Sequence, residues 1–426
     1  MSAVTPTSVL LVSPLTVVEH GADFIVGDPG QGTYVVLPPV GVTVIDLLRA
    51  GQSVRAAAAA IAADSGVDVD VADFAESLCE LGWARPSADG AAGPEAPAVS
   101  RVSPARRPWA PLVSGLPAWL VAGTALICCV LCFAARPRLW PSSSAAFPLG
   151  TPVLSMIALM LAAYALRGLH ELCHWVAARA AGVRASIRVS HRLYLLVFET
   201  DLTGLLALPR RRRYWPLLIG MGFDTVVLAI VLLLRLSAQA GFWHPAPSLA
   251  NMLAAITLLQ VVGVCVQFFV FMRTDVYAVL ATAAGCTSLW SVTALTLRCR
   301  LGFASPGHRA ELQQAHPRDR AVANWYVWLY AAGMLLAAWF FAAYFAPATA
   351  RVLWWVGVTL KSAGLGRAAF WEALCFSLLL LSPQALTLWA AGRTIARRRR
   401  SSPRASLAGS GGSDGSGGGG GDQVTA

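Results

Sequence analysis

Apolar residues fall into two patterns along this chain. Over residues 1–85 they come in short runs. Ala22-Asp23-Phe24-Ile25-Val26 and Thr33-Tyr34-Val35-Val36-Leu37 read as strands around the turn signal Asp28-Pro29-Gly30-Gln31-Gly32. Three short helices are expected to follow. The first runs around 40–48 and the second starts behind Ser53 as N-cap. The third starts near Asp70, with Phe74, Leu78 and Leu81 at helical spacing and Gly82 as a stop. A hairpin followed by three helices predicts a small winged-helix-like α/β domain, with enough chain for one modest core. Residues 86–111 are rich in Pro, Ala, Ser, Gly and Arg without periodicity, which reads as a flexible linker.

Beyond the linker the apolar runs lengthen towards the ~20 residues a membrane-spanning helix needs. Spans are expected near 115–135, 151–181, 215–236, 250–272, 324–347 and 369–392. The stretch 276–297 is apolar but punctuated by Gly285, Thr287 and Ser288, and reads as either a re-entrant element or a seventh span; 351–360 is too short to cross. The fold class is thus a mostly α, polytopic helical membrane protein of about six spans, carrying the small N-terminal domain. Residues 112–397 form the membrane unit, and 398–426 are a basic, then Gly/Ser-rich, disordered tail.

Composition agrees: 56% of the 426 residues are hydrophobic and only 13% charged, with a mean hydropathy of +0.60. The net charge of +11 raises a nucleic-acid partner, but its distribution argues against one. Arginines gather beside apolar segments, at 210–213 and 397–400, as the positive-inside rule expects of cytoplasmic loops. Met1 to Pro14 lacks a signal-peptide pattern, so both termini are expected in the cytoplasm, flanking a multi-pass protein of the cytoplasmic (inner) membrane. Arginine and alanine abundance with Lys361 as the single lysine reads as a GC-rich bacterial source. The nine cysteines, Cys129 and Cys132 among them, read as small apolar residues in lipid.

Candidate chemistry lies in His170-Glu171-Leu172-Cys173-His174, inside the second expected span. Histidines four apart on a helix lie about 6 Å apart along its axis and can share one Zn²⁺, with the glutamate between them placed as general base. This composition would yield such a pentad by chance roughly 0.006 times. Ionisable groups at membrane depth are costly and usually functional. His170 follows the start of its helix by about 29 Å, close to the far edge of a ~30 Å hydrocarbon core, hence towards the cytoplasmic face. Arg167, one turn earlier, fits either a watered cavity or snorkelling to the interface. Zinc hydrolysis needs a third protein ligand. Glu199, Asp201, Asp224, Asp275 and the remaining histidines are candidates. Asp275, expected to close the fourth span, shares the pentad's depth. Asp224 lies nearer mid-membrane, where an interhelical hydrogen bond is the simpler role.

The pentad on a spanning helix, with an aspartate at the cytoplasmic end of a later one, resembles the site-2-protease family of intramembrane zinc metalloproteases over roughly residues 148–290. That resemblance implies His170, His174 and Asp275 as zinc ligands, Glu171 as the catalytic residue, and a β-hairpin after the pentad helix, for which 185–195 and 194–203 have suitable character. There are departures. No Asn-Pro precedes Asp275, no glycine follows it, and Gly220-Met221-Gly222-Phe223-Asp224 replaces a Gly-Pro-x-x-Asn-like run. In the N-terminal part, Phe24-Ile25-Val26-Gly27-Asp28, the strand from Tyr34 to Pro38, Gly41-Val42-Thr43-Val44-Ile45-Asp46-Leu47-Leu48 and Glu80-Leu81-Gly82-Trp83 resemble PqqD-like domains. That implies recognition of a peptide by residues 1–85, through strand addition at a sheet edge. Two functions are carried forward. One is a membrane-embedded zinc metalloprotease maturing a ribosomally made peptide; the other is a non-proteolytic binding or assembly component of a peptide modification or export system.

Overall fold

The computed structural model describes residues 4–28, 31–65, 69–87, 115–192, 195–363 and 365–401, together with Ala110 and Val113. The expected linker and the Gly/Ser tail lie almost wholly outside the described residues.

The N-terminal unit contains more sheet than the expected hairpin. β2 (Thr16–His20), β3 (Asp23–Asp28) and β4 (Thr33–Leu37) form an antiparallel meander, and β1 (Leu10–Val12) pairs with β5 (Ala84–Pro86). Val17 and Val18 supply β-branched character, and Gly21, at φ 69°, permits the tight turn that pairs His20 with Asp23. The β1–β5 pair carries the unit through residue 86. Between β4 and β5 lie α1 (Pro39–Arg49), α2 (Val54–Ser65) and α3 (Val71–Glu80). Asp70 caps α3 by accepting from the Ala72 and Asp73 amides. Leu15, Ile25, Val44, Leu48, Leu78 and Trp83 are essentially sealed from solvent, a closed core that makes this a unit in its own right.

Among the described residues of the second unit, four helices are long and apolar enough to cross a membrane: α4 (Leu116–Ala135), α5 (Pro152–Ala180), α6 (Arg210–Gln239) and α7 (Pro247–Gln267). A fifth is the continuous run Pro317–Ser362, and a sixth arises if α8 (Asp275–Ala284) and α9 (Leu289–Arg300) count as one span despite their 87° bend. The short α10 (Pro306–Gln314) precedes the long run. That run contains α11 (Pro317–Phe340), a π turn and α12 (Ala346–Ser362). It absorbs 351–360, expected to be a separate short piece. The widened turn, in which the Ala346 amide donates to the Phe341 carbonyl, passes the helix across Pro347, which has no N–H to give. α13 (Ala368–Ser401) covers the expected 369–392 and runs beyond it at both ends. Outward-facing side chains on these helices are apolar and large, Leu335 at 72% and Trp354 at 77% exposure among them. Water does not favour so much bare apolar surface; lipid does.

The fourth expected span ends earlier than the apolar run suggests. α7 stops at Gln267, and Asp275 opens α8 instead of closing the preceding helix. Arg273 adopts the left-handed conformation at φ 56°, the only non-glycine residue among those described to do so. Thr274 then caps a new helix by accepting from the Tyr277 amide. After α5, β6 (Ser186–Arg192) and β7 (Leu195–Asp201) form an antiparallel hairpin.

The two units touch. The His20 Nε2–H donates to the Gly285 carbonyl at 3.1 Å, and His316 meets Asp23 at 2.8 Å. Tyr34 packs against the cluster of Ala178, Val183, Leu205, Leu208 and Leu217.

Candidate metal centre

α5 is set by Thr151, whose hydroxyl accepts from the Leu154 amide, and by Pro152 in its first turn. One face of this helix carries His170, Glu171 and His174 inward, at 0%, 8% and 1% exposure. Each imidazole is held by its other nitrogen. The His170 Nδ1–H donates to Asp224 Oδ2 at 2.8 Å, and the His174 Nδ1–H donates to the Pro216 carbonyl at 2.8 Å. Those partners leave both Nε2 atoms as lone-pair donors turned inward.

Asp275 Oδ2 completes a triangle with them. It lies 3.0 Å from His170 Nε2 and 3.3 Å from His174 Nε2, and the two nitrogens are 3.1 Å apart. Ligands about 2.0–2.1 Å from a tetrahedral ion sit roughly 3.3 Å from one another. Three lone pairs converging on one point repel unless a cation, whether a proton or a metal ion, lies among them. Among the described residues this is the one group of three such side chains able to hold a metal ion.

The surroundings fix the triangle. Gly220 of α6 faces it so closely that a Cβ there would lie 2.4 Å from both Nε2 atoms. Only glycine leaves room for the ligands and an ion. Asp224, 2% exposed, also receives the side-chain amide of Gln260, which bonds its carbonyl at 3.0 Å. Gln267 does the corresponding work for Asp275: its Oε1 accepts from the Asp275 amide at 3.1 Å, while its own carbonyl accepts from Thr274 Oγ1 at 2.6 Å. Beside the triangle lies a cavity of about 170 Å³, lined by Arg167, Glu171, His174, Phe198, Thr200 and Asp275 among others.

The other candidates from the sequence lie elsewhere. Glu199 borders the cavity without joining the triangle. Asp201 pairs with Arg188 at 3.1 Å and accepts from the Thr203 amide and hydroxyl. Asp224 sits behind His170. His20 and His316 belong to the contact between the two units. Gln260, Gln267 and Thr200 escaped the sequence reading, and Gly220 was noted there only as part of the run 220–224. Polar Gln260 and Gln267 inside an apolar span were a readable signal; Gly220 had no assigned role in its run, and for Thr200 the pattern of the chain carried none.

Residues 24–84 match the family described as coenzyme PQQ synthesis protein D (PqqD), and the match stays within the N-terminal unit. No curated protein and no solved structure matches the chain.

Proposed function

We propose that the chain is a membrane-embedded zinc metallopeptidase that acts on a peptide delivered by its PqqD-like domain, in the maturation of a ribosomally made peptide. The observation that carries this reading is the His170–His174–Asp275 triangle with the Glu171 carboxylate on the same helix and the same cavity. The two imidazoles and one carboxylate suit zinc in number and type, with a position left for water. A bound zinc ion would supply Lewis acidity to the scissile carbonyl and to the attacking water. Glu171 would accept the proton of that water and return it to the leaving amine nitrogen. Asp224 and the Pro216 carbonyl would hold the imidazoles in the tautomer that keeps their Nε2 lone pairs available.

Resemblance to the site-2-protease family supports the reading through His170, Glu171, His174 and Asp275. The PqqD family match supports the role of the N-terminal unit in peptide handling. The deciding experiment measures metal content and peptide cleavage together on the purified protein and its Glu171→Gln variant. Glutamine keeps the shape and cannot act as a base, so metal should stay while cleavage falls by about 10²–10⁴-fold. Cleavage by the variant at the wild-type rate would remove Glu171 from the mechanism.

The alternative, a non-proteolytic binding or assembly component, is favoured by the departures around Asp275, where Thr274 and Val276 stand in place of the family's usual neighbours. Metal bound without any hydrolysis across a broad set of peptides would favour it.

A further inference from the structure

We propose that Thr200 is the positioning residue of Glu171, which makes the β6–β7 hairpin part of the catalytic apparatus and not merely a surface ribbon. This rests on the metallopeptidase reading above. The Thr200 amide donates to Glu171 Oε2 at 2.9 Å. The Thr200 hydroxyl lies 2.9 Å from the same oxygen and 3.0 Å from the Glu171 carbonyl. Oε2 is therefore fixed by a strand, while Oε1 accepts no hydrogen bond among the described residues and remains free to take a proton.

The hairpin is built to hold that amide in place. Thr200 stands opposite Ile187 of β6 at a position whose N–H points away from the partner strand, as alternate residues of an antiparallel pair do, and this leaves it for α5. Two contacts clamp the strand on either side of Thr200. Phe198 packs edge-on against Tyr164 of α5 with ring centroids 6.2 Å apart. Asp201 is tied to Arg188 of β6 at 3.1 Å and accepts from the Thr203 amide and hydroxyl at 3.1 and 2.7 Å. This gives Asp201 a role that needs no metal: it fixes the strand end from which Thr200 reaches the base. A general base is effective only when held within hydrogen-bond reach in one orientation, and a hydrogen bond to a charged group is worth about 10–100-fold in rate.

The test uses the full-length protein in lipid nanodiscs with a quenched-fluorescent generic peptide. Thr200→Val keeps the branched shape and deletes the hydroxyl; Thr200→Ser keeps the hydroxyl. The expected result is that Thr200→Val lowers kcat about 10–100-fold with KM within about twofold and metal content unchanged, while Thr200→Ser stays within about twofold of wild type. Equal impairment of both variants, or full kcat in Thr200→Val beside an inactive Glu171→Gln, would overturn the assignment while leaving the metallopeptidase reading intact. Full activity in Glu171→Gln would instead sink that reading. Amide hydrogen exchange gives a readout independent of turnover. Glu171→Ala should speed exchange at Thr200 at least about tenfold while sparing Glu199, whose amide faces β6. Unchanged protection at Thr200 would end the proposal.

Discussion

The imidazole of His20 donates to the carbonyl of Gly285, so the sheet of the N-terminal unit is fastened to the end of the helix that begins with Asp275. Gly285, left-handed at φ 70°, ends α8 and turns its carbonyl outward. The contact does not stand alone. Arg318 Nε donates to the Ala284 carbonyl at 2.8 Å, and buried Asp319 receives the amides of Thr287 and Ser288 at 3.2 and 3.1 Å. His316 accepts from the Arg318 amide on Nδ1 and so directs its Nε2–H to Asp23. The bend between α8 and α9 is thereby bonded both by the start of α11 and by the N-terminal sheet.

Acid should loosen this contact. His20 has a lowered pKa, chiefly because burial disfavours the charged ring; the Gly285 carbonyl opposes that, Arg213 and His316 add to it, and Asp319 offsets part of it. A histidine that binds its proton more weakly when docked leaves the undocked state holding more protons below the ordinary value of 6.5. Stability of the docked state therefore falls as pH drops through about 6.5, and levels off below the lowered value. Hydrogen exchange over residues 16–37, corrected for intrinsic rates, should accelerate between about pH 7.5 and 5.5. His20→Gln should flatten the response; an unchanged pH response in that variant would remove His20 from it.

Metal affinity should follow the triangle and its supports. Asp275→Ala and His170→Ala should abolish stoichiometric binding in a competition with a chromophoric chelator. Asp224→Ala, which removes the acceptor of the His170 Nδ1–H, should weaken binding by about 10–100-fold. Asp224→Asn should lose less, because its amide oxygen still accepts. Undiminished binding in Asp275→Ala would take that carboxylate out of the site.

Gly220→Ala separates helix stability from site geometry. Alanine favours a helix by about 1 kcal/mol over glycine, yet its methyl would sit 2.4 Å from the Nε2 atoms of His170 and His174. The variant should fold with undiminished helicity and bind no metal. Helical content and metal content measured on one preparation decide the matter: full occupancy would mean the three helices can part further than their packing implies.

Deleting residues 1–87 should raise KM steeply for a long precursor peptide while sparing a short generic one. Equal losses on both would mark the N-terminal unit as a structural support. The contacts of Tyr34 with Leu205 and its neighbours make that second outcome a real competitor.

What the sequence disclosed follows from the range of the interactions involved. The pentad was legible because helical spacing alone brings His170 and His174 to one face, and α3 was legible because its cap, Asp70, lies within its own turn. The element carrying Asp275 was misplaced: the apolar run passes through 268–272 without a break, and the new helix depends on a left-handed Arg273 and on a bond from Thr274 back to Gln267. Strand β2 was missed because its polar Glu19 and His20 interrupt the apolar signal, although they complete the meander. Gly220 and Thr200 act across gaps of dozens of residues, on partners that only the packing of α5 against α6 and β7 brings near.

The contact between His20 and Gly285 stands one helix away from Asp275, and that helix has a fixed length. α8 has ten residues, hence roughly 15 Å from end to end. An extended peptide advances about 3.3 Å per residue. If the N-terminal sheet holds the substrate beside His20 and a metal at Asp275 cuts it, the intervening rod would serve as a ruler. The scissile bond would be found by counting about five residues from the held segment, more than by reading the side chains around it. Two residues inserted in that interval of a precursor would then move the cut by two positions along its sequence.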